Sequence, residues 1–305
     1  MNPYIKQANQ QFVPVYNRYP IVWDHGEGMY LYDTEGKRYL DFGSGIGVCA
    51  LGYHDQNYTR TLQEQMEKLL HTSNLFYNVP AIEAAKLFNQ ASGMEQVFFT
   101  NSGTEAIEGA VKIAKKYHFL KHNNHNGEII AMKKSFHGRS MGRSGNMFAY
   151  QLYDVAPDIV VSAKALGCGI PVGAIGIRGA ATGVLCAGDH GTTYGSNPLA
   201  AAAVTVVFQL YQQYNVLANV RSMTTYLDKA LSELAAQKVV IKEVRGLGLM
   251  KGIELSVPAA YYINALQEAG IIVISSGSHV IRLLPPLILE KEHIDALLYV
   301  LKKIL

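Results

Sequence analysis

A buried strand that ends in a lysine and a run of glycines constrains this chain more than any other stretch. In residues 157–174, PDIVVSAKALGCGIPVGA, Ile159 to Ser162 read as a strand. Its carboxyl end delivers Lys164 into a turn containing Gly167, Gly169 and Gly173. Burial in apolar surroundings lowers the pKa of an ammonium, and the neutral amine is the form that attacks an aldehyde to make a Schiff base. A lysine at a strand edge can equally carry its head to solvent on a long apolar stem. The stretch alone leaves both readings open.

Other stretches place chemistry at turns in the same way. Gln96–Thr100 reads as a buried strand, NSGT as a tight turn, and the following residues, with Ala106, Ile107, Ala110, Val111, Ile113 and Ala114, as a helix packed on a sheet. Ser102, Gly103 and Thr104 at such a helix start offer backbone N–H groups, a favourable dipole end and two hydroxyls to a phosphate. The same residues serve as an ordinary N-cap, with Glu105 in the first turn. Glu128 to Lys133 reads as a further strand running into SFHGRSMG. There Phe136 can stack on a flat ring and Arg139 fork onto a carboxylate, or they are a core Phe and a surface Arg. HGTTYGSNP repeats the hydroxyl-bearing turn with Thr192 and Thr193 ahead of a helix that starts at Asn197 and Pro198. Arg282 stands between Ile281 and Leu283 in an apolar strand and needs an anion, from a substrate or from an internal acid. The GSGIG cluster at Gly43 to Gly47 reads as a close backbone approach to a ligand or as a plain turn.

The remaining elements are coarser. DTEG at Asp33 to Gly36 marks a hairpin turn, Asn57 to Leu70 and Ala81 to Ala91 read as helices, and Val172 to Gly179 as a strand. Beyond a linking helix at Tyr226 to Gln237, strand and helix patterns alternate to a terminal helix with acid at its start and Lys302 and Lys303 near its end. Apolar residues make up 49% and charged residues 17%, the balance of a globular protein. Basic and acidic side chains number 27 and 24 and are scattered, so neither a nucleic acid nor a membrane surface is an expected partner. Three cysteines without CxxC spacing point to a reducing compartment, with no disulfide framework and no metal. The expectation is a cytoplasmic protein without a secretory signal or membrane span.

Taken together, YPIVWDHGEGMYLYDTEGKRYLDFGSGIGV, NSGTEA, FHGR, DIVVSAKALG, HGTTYGSNP and IRLLPPL follow one another as in a known family. The chain resembles the class III (subgroup II) aminotransferases, which depend on pyridoxal 5'-phosphate, over nearly its whole length. The resemblance implies an α/β protein of the type I fold, with a large domain on a mostly parallel sheet and a smaller α+β domain. Residues 1–50 would join the small domain, 51–215 form the large cofactor domain and 216–305 the carboxyl-terminal small domain. It further implies that Lys164 forms the Schiff base and moves the proton. Ser102, Gly103 and Thr104 would hold the phosphate, joined by Thr193 from the partner subunit of a homodimer, and Phe136 would stack on the ring. Arg139, with Thr192 nearby, and Arg282 would bind substrate carboxylates. The implied reaction moves the δ-amine of N-acetylornithine to 2-oxoglutarate, in arginine biosynthesis; ornithine or 4-aminobutyrate are the alternative donors.

The chain departs from the family at one place. SFHGRSMG runs directly into RSGNMFAY, where the family has roughly 80 further residues between the positions of Gly142 and Arg143. In the family that piece carries the aspartate paired with the pyridine nitrogen, and no residue of this chain takes that role. A weaker electron sink, or a shortened homologue without turnover, is the corresponding expectation.

Overall fold

The computed structural model describes residues 2–133, 141–153 and 155–305. After α1 (Pro3–Gln11), β1 (Trp23–Glu27), β2 (Tyr30–Asp33) and β3 (Arg38–Asp41) form an antiparallel meander. The hairpin turn lies where its sequence places it, because Asp33 Oδ1 accepts the N–H groups of Glu35 and Lys37 and closes the loop. A single turn, α2 (Ser44–Gly47), precedes α3 (Gln56–Lys68) and α4 (Val79–Ser92). The side chains of Asp55 and Asn78 cap these last two by accepting N–H groups of their first turns.

β4 (Gln96–Thr100) runs into α5 (Gly103–His122), and β5 (Ile159–Ala163) runs into the lysine turn and then β6 (Gly173–Ile177). These strands form one sheet in the order β4-β6-β5. The mostly parallel arrangement expected for this sheet is not what the described strands form, since β6 is antiparallel to both neighbours. The reason is connection length: the residues 164–172 between β5 and β6 are fewer than the dozen or so that a parallel crossover needs. Glu128 to Lys133 is also not a strand. It has no ladder partner among the described residues, and Ile130 and Met132 are 95% and 81% exposed.

The register of this sheet decides where the chemistry goes. Thr100 and Ala163, the last residues of β4 and β5, both lie opposite Gly173. β4 and β5 therefore point the same way and release Asn101–Ser102 and Lys164 on either side of one glycine. A Cβ at Gly173 would strike the Ser102 carbonyl and the Thr100 hydroxyl, so only glycine admits this approach.

The rest of the chain is α6 (Pro198–Gln213), α7 (Val216–Gln237), β7 (Ile241–Leu247), β8 (Met250–Leu255), α8 (Ala260–Glu268), β9 (Ile271–Ile272), β10 (Ile274–Ser276), β11 (Val280–Leu283) and α9 (Lys291–Ile304). β10-β11-β8-β7 make an antiparallel sheet, while β9 pairs parallel with β3. One apolar run thus serves two sheets, changing over at the fully buried Val273. The main core extends from Met29 to Leu301 and takes in α6, which is apolar nearly all round and buried. A smaller cluster holds α5 on its sheet through Ala106, Ile113 and Ile175. Among the described residues no helix is long and apolar enough to cross a membrane.

The cap of α9 makes stability depend on pH. His293 is 7% exposed, and its Nδ1 accepts the Glu290 N–H at 3.1 Å. Burial pushes its pKa below the usual histidine value of 6.5, against the pull of Glu292 and Glu290. The neutral ring is therefore the folded form. Its contribution is complete above pH 6.5 and is lost as pH falls through the lowered folded-state value. The urea midpoint is expected to drop between pH 7.5 and pH 5, and His293→Gln, which keeps an acceptor but does not titrate, is expected to shrink that drop.

Candidate active site

Lys164 and the start of α5 open into one cavity of about 280 Å³, lined also by Val48, Asn101 and Gly169 to Val172. Lys164 has a left-handed φ of 56° and begins a tight turn through Leu166. Its Nζ donates to the Ile46 carbonyl at 3.1 Å. The lysine therefore does not simply run along the strand edge to solvent; it is half-buried and tied to the backbone at Ile46.

At the helix start the two sequence readings coexist. Ser102 is the N-cap, its Oγ accepting the Glu105 N–H at 3.2 Å. Asn101 donates both its backbone N–H and its side-chain amide to Glu105 Oε2, each at 2.9 Å, and so turns that carboxylate back along the helix. Asn101, Ser102 and Gly103 line the Lys164 cavity, while Glu105 does not. The positive end of a helix that runs from Gly103 to His122 thus faces the cavity, which suits an anion.

Behind the cavity lies a polar network that the sequence did not announce. Asp41, 1% exposed, accepts the N–H groups of Gly43 at 2.7 Å and Ser44 at 2.8 Å, and the Tyr53 hydroxyl at 2.6 Å. Arg143, 3% exposed, donates to Ser44 Oγ at 3.3 Å and to the carbonyls of Leu249 at 3.3 Å and Pro285 at 2.5 Å. Desolvation pushes the Arg143 pKa down to about 10, while burial pushes the Asp41 carboxyl up. The signals were a charged residue beside each of two glycine-rich turns, GSGIG and MGRSG.

The other expected site residues are distributed as follows. Phe136 and Arg139 lie outside the described residues. Thr104 is in the first turn of α5 and is not among the residues lining the cavity. Thr192 and Thr193 line a different cavity, of about 430 Å³, beside His71 and His190. Thr192 Oγ1 is linked back to the turn before α5, accepting from Asn101 Nδ2 at 3.2 Å. Arg282, on β11, sits with Nη2 3.7 Å from Met250 Sδ and outside the Lys164 cavity. It makes no ion pair with a described residue, and desolvation lowers its pKa. An internal acid is therefore not what holds it among those residues.

An amine that forms imines, beside a helix start that suits a phosphate, fits the aldehyde and phosphate of pyridoxal 5'-phosphate. The fit stops at the ring nitrogen, because none of the described residues lining the cavity is acidic.

The model of the class III aminotransferase family matches residues 13–142 and 140–305. The acetylornithine aminotransferase of Methanocaldococcus jannaschii is 33% identical, with 99% of this chain and 97% of that protein covered. That of Aquifex aeolicus is 34% identical, with 95% and 98% covered. Among solved structures, N-acetylornithine aminotransferase from Stenotrophomonas maltophilia superposes with a TM-score of 0.87 at 26% identity, covering 98% of each chain. An ornithine δ-aminotransferase from Plasmodium falciparum shares the fold, with a TM-score of 0.93 at 24% identity and coverage of 99% and 97%. The alignment to the Methanocaldococcus protein spans 387 positions against 305 residues here, and the two family matches meet at 140–142, so about 80 positions are absent at that junction. The lysine turn and the α5 start keep their places on either side of Gly173 despite this shortening, and the chain belongs to the class III, pyridoxal-phosphate-dependent aminotransferases.

Proposed function

We propose that this aminotransferase moves the δ-amino group of N-acetylornithine to 2-oxoglutarate, a step of arginine biosynthesis. The observation that carries the proposal is the shared cavity of the Lys164 amine and the α5 start; relatives named acetylornithine aminotransferase over almost the whole chain support the donor. When bound, pyridoxal phosphate supplies an aldehyde for the amine and a ring that withdraws electrons from the carbon losing its proton. The chain's own groups do the rest. Lys164 Nζ takes the proton from the amine-bearing carbon and returns it on the acceptor side. Ser102, Gly103 and Thr104 hold the phosphate at the helix start. Arg282 and Arg139 are the carboxylate forks, and Phe136 stacks on the ring.

The working unit in this proposal is a homodimer in which Thr193 reaches the phosphate site of the partner subunit. Thr192 and Thr193 line a cavity apart from Lys164 within one chain. Leu75, in its lining, is 87% exposed, Phe76 and Tyr77, next in sequence, are 68% and 97% exposed, and such apolar surface is characteristic of an interface. A cytoplasmic location agrees with the free thiols of Cys49, Cys168 and Cys186.

Purified protein mixed with pyridoxal phosphate is expected to show a yellow absorbance band that changes on adding N-acetylornithine and not with equal ornithine or 4-aminobutyrate. Glutamate forms once 2-oxoglutarate is present. A response to ornithine or 4-aminobutyrate alone replaces the donor. A second reading, a shortened homologue without turnover, is favoured by the absence of an acid among the described cavity residues and by the absent positions; a band that never changes with any donor selects it.

A further inference from the structure

The backbone that holds the Lys164 amine is itself strained. Ser44, Gly45, Ile46 and Gly47 have φ values of 42°, 60°, 65° and 78°, a left-handed turn that disfavours L-residues and above all a β-branched one. Lys164, at the other end of the hydrogen bond to the Ile46 carbonyl, is left-handed as well. Strain of this kind persists only where the surroundings over-determine it, and it gathers at functional sites.

The surroundings here are a clamp on one end of the turn. Asp41 receives two successive N–H groups, from Gly43 and Ser44, and so fixes the direction in which the chain enters. Ser44 Oγ donates to the Leu284 carbonyl at 2.6 Å and accepts from Arg143 Nη2. The guanidinium also lies under Gly47, where an added Cβ would come 3.8 Å from Nε. Ser44 is fully buried, whereas Ile46, two residues on, is 55% exposed. The turn is thus anchored at its base in the protein interior and presents its middle carbonyl to the lysine.

We propose that the left-handed turn Ser44–Gly47, clamped by Asp41 and Arg143, is a positioning device for the Lys164 amine. Ser44 and Ile46 are positioning residues that aim the amine at the cavity it shares with the α5 start. This rests on the reading of Lys164 as the imine-forming amine, and the test separates the two.

Two labelling reactions on the same lysine read opposite consequences. In reductive methylation the amine adds to formaldehyde, water leaves and cyanoborohydride delivers hydride; any freed amine reacts faster. In cofactor trapping, pyridoxal phosphate condenses with the amine and borohydride reduces the C=N bond; only a correctly aimed amine reacts fast. Ile46→Gly lifts the left-handed penalty while loosening the turn, and Ser44→Ala removes the clamp hydroxyl. In both, methylation of Lys164, counted by peptide mass against the exposed Lys229, is expected to rise several-fold, while trapping of pyridoxal phosphate falls by about tenfold. The thermal midpoint of Ile46→Gly is expected to equal or exceed the starting value, which a merely structural role would also give, but without the split. Both rates moving together, or neither moving, overturns the proposal. If the unaltered protein traps no pyridoxal phosphate on Lys164, the imine-forming reading falls. The methylation arm then decides alone, and an unchanged Lys164 rate in both variants overturns the clamp.

Discussion

Replacing Lys164 by alanine is expected to abolish borohydride-fixed labelling by pyridoxal phosphate in the 157–174 peptide and to slow transamination by about 10²–10⁴-fold, the usual contribution of a positioned proton-transfer group. The loss has two parts. Without the amine the cofactor is no longer held covalently, and the phosphate turn alone must retain it. Without the base no other lysine among the described residues is placed to take over the proton, since none of them lines that cavity. Stability is expected to change by less than about 1 kcal/mol, because Lys164 is half-buried and an alanine keeps the same backbone strain at φ 56°. Peptide mapping after borohydride reduction checks the labelling, and glutamate formation checks the rate. Undiminished labelling of the 157–174 peptide would assign the chemistry to another residue.

How much of this site is legible in sequence follows from which contacts are local. Asp33 closing its own hairpin, Ser102 capping α5 and Asn197 capping α6 act within a few residues, and their positions in sequence announce them. The coming together of Lys164 and the phosphate turn is different. It depends on β6 returning between β4 and β5, and Thr100, Ala163 and Gly173 are far apart in sequence. Only the resemblance to a family joined those pieces. β9 and β10 show the same limit, because the single apolar run over 271–276 is divided between two sheets by what packs around Val273. Composition in turn misled at one place. Glu128 to Lys133 has a strand's composition, but no neighbour with which to form a ladder among the described residues.

Arg143 is the case with the largest expected effect on stability, and its neighbours show why. Arg143→Met is expected to cost on the order of 3–5 kcal/mol, the range found when one partner is removed from a buried charged cluster. The methionine fills much of the volume. It leaves the Pro285 and Leu249 carbonyls and the Ser44 hydroxyl without a donor they have now, and it takes a positive charge from the vicinity of Asp41. The exposed Arg245 pairs with Glu243 and Glu254 on the surface, where ion pairs contribute about 0–1 kcal/mol, so Arg245→Met is expected to do little. Urea unfolding separates the two directly: at about 1–3 kcal/mol per molar urea, the midpoint of Arg143→Met should fall by one molar or more. The charge component can be read by adding Asp41→Asn. Burial already raises the Asp41 pKa, with the hydrogen bonds from Tyr53, Gly43 and Ser44 and then Arg143 opposing it. Once the guanidinium is gone the ionised carboxylate is a liability, so the double variant is expected to be less destabilised than the sum of the two single ones. Simple additivity would mean that Arg143 acts through its three hydrogen bonds alone and that its charge does nothing for Asp41.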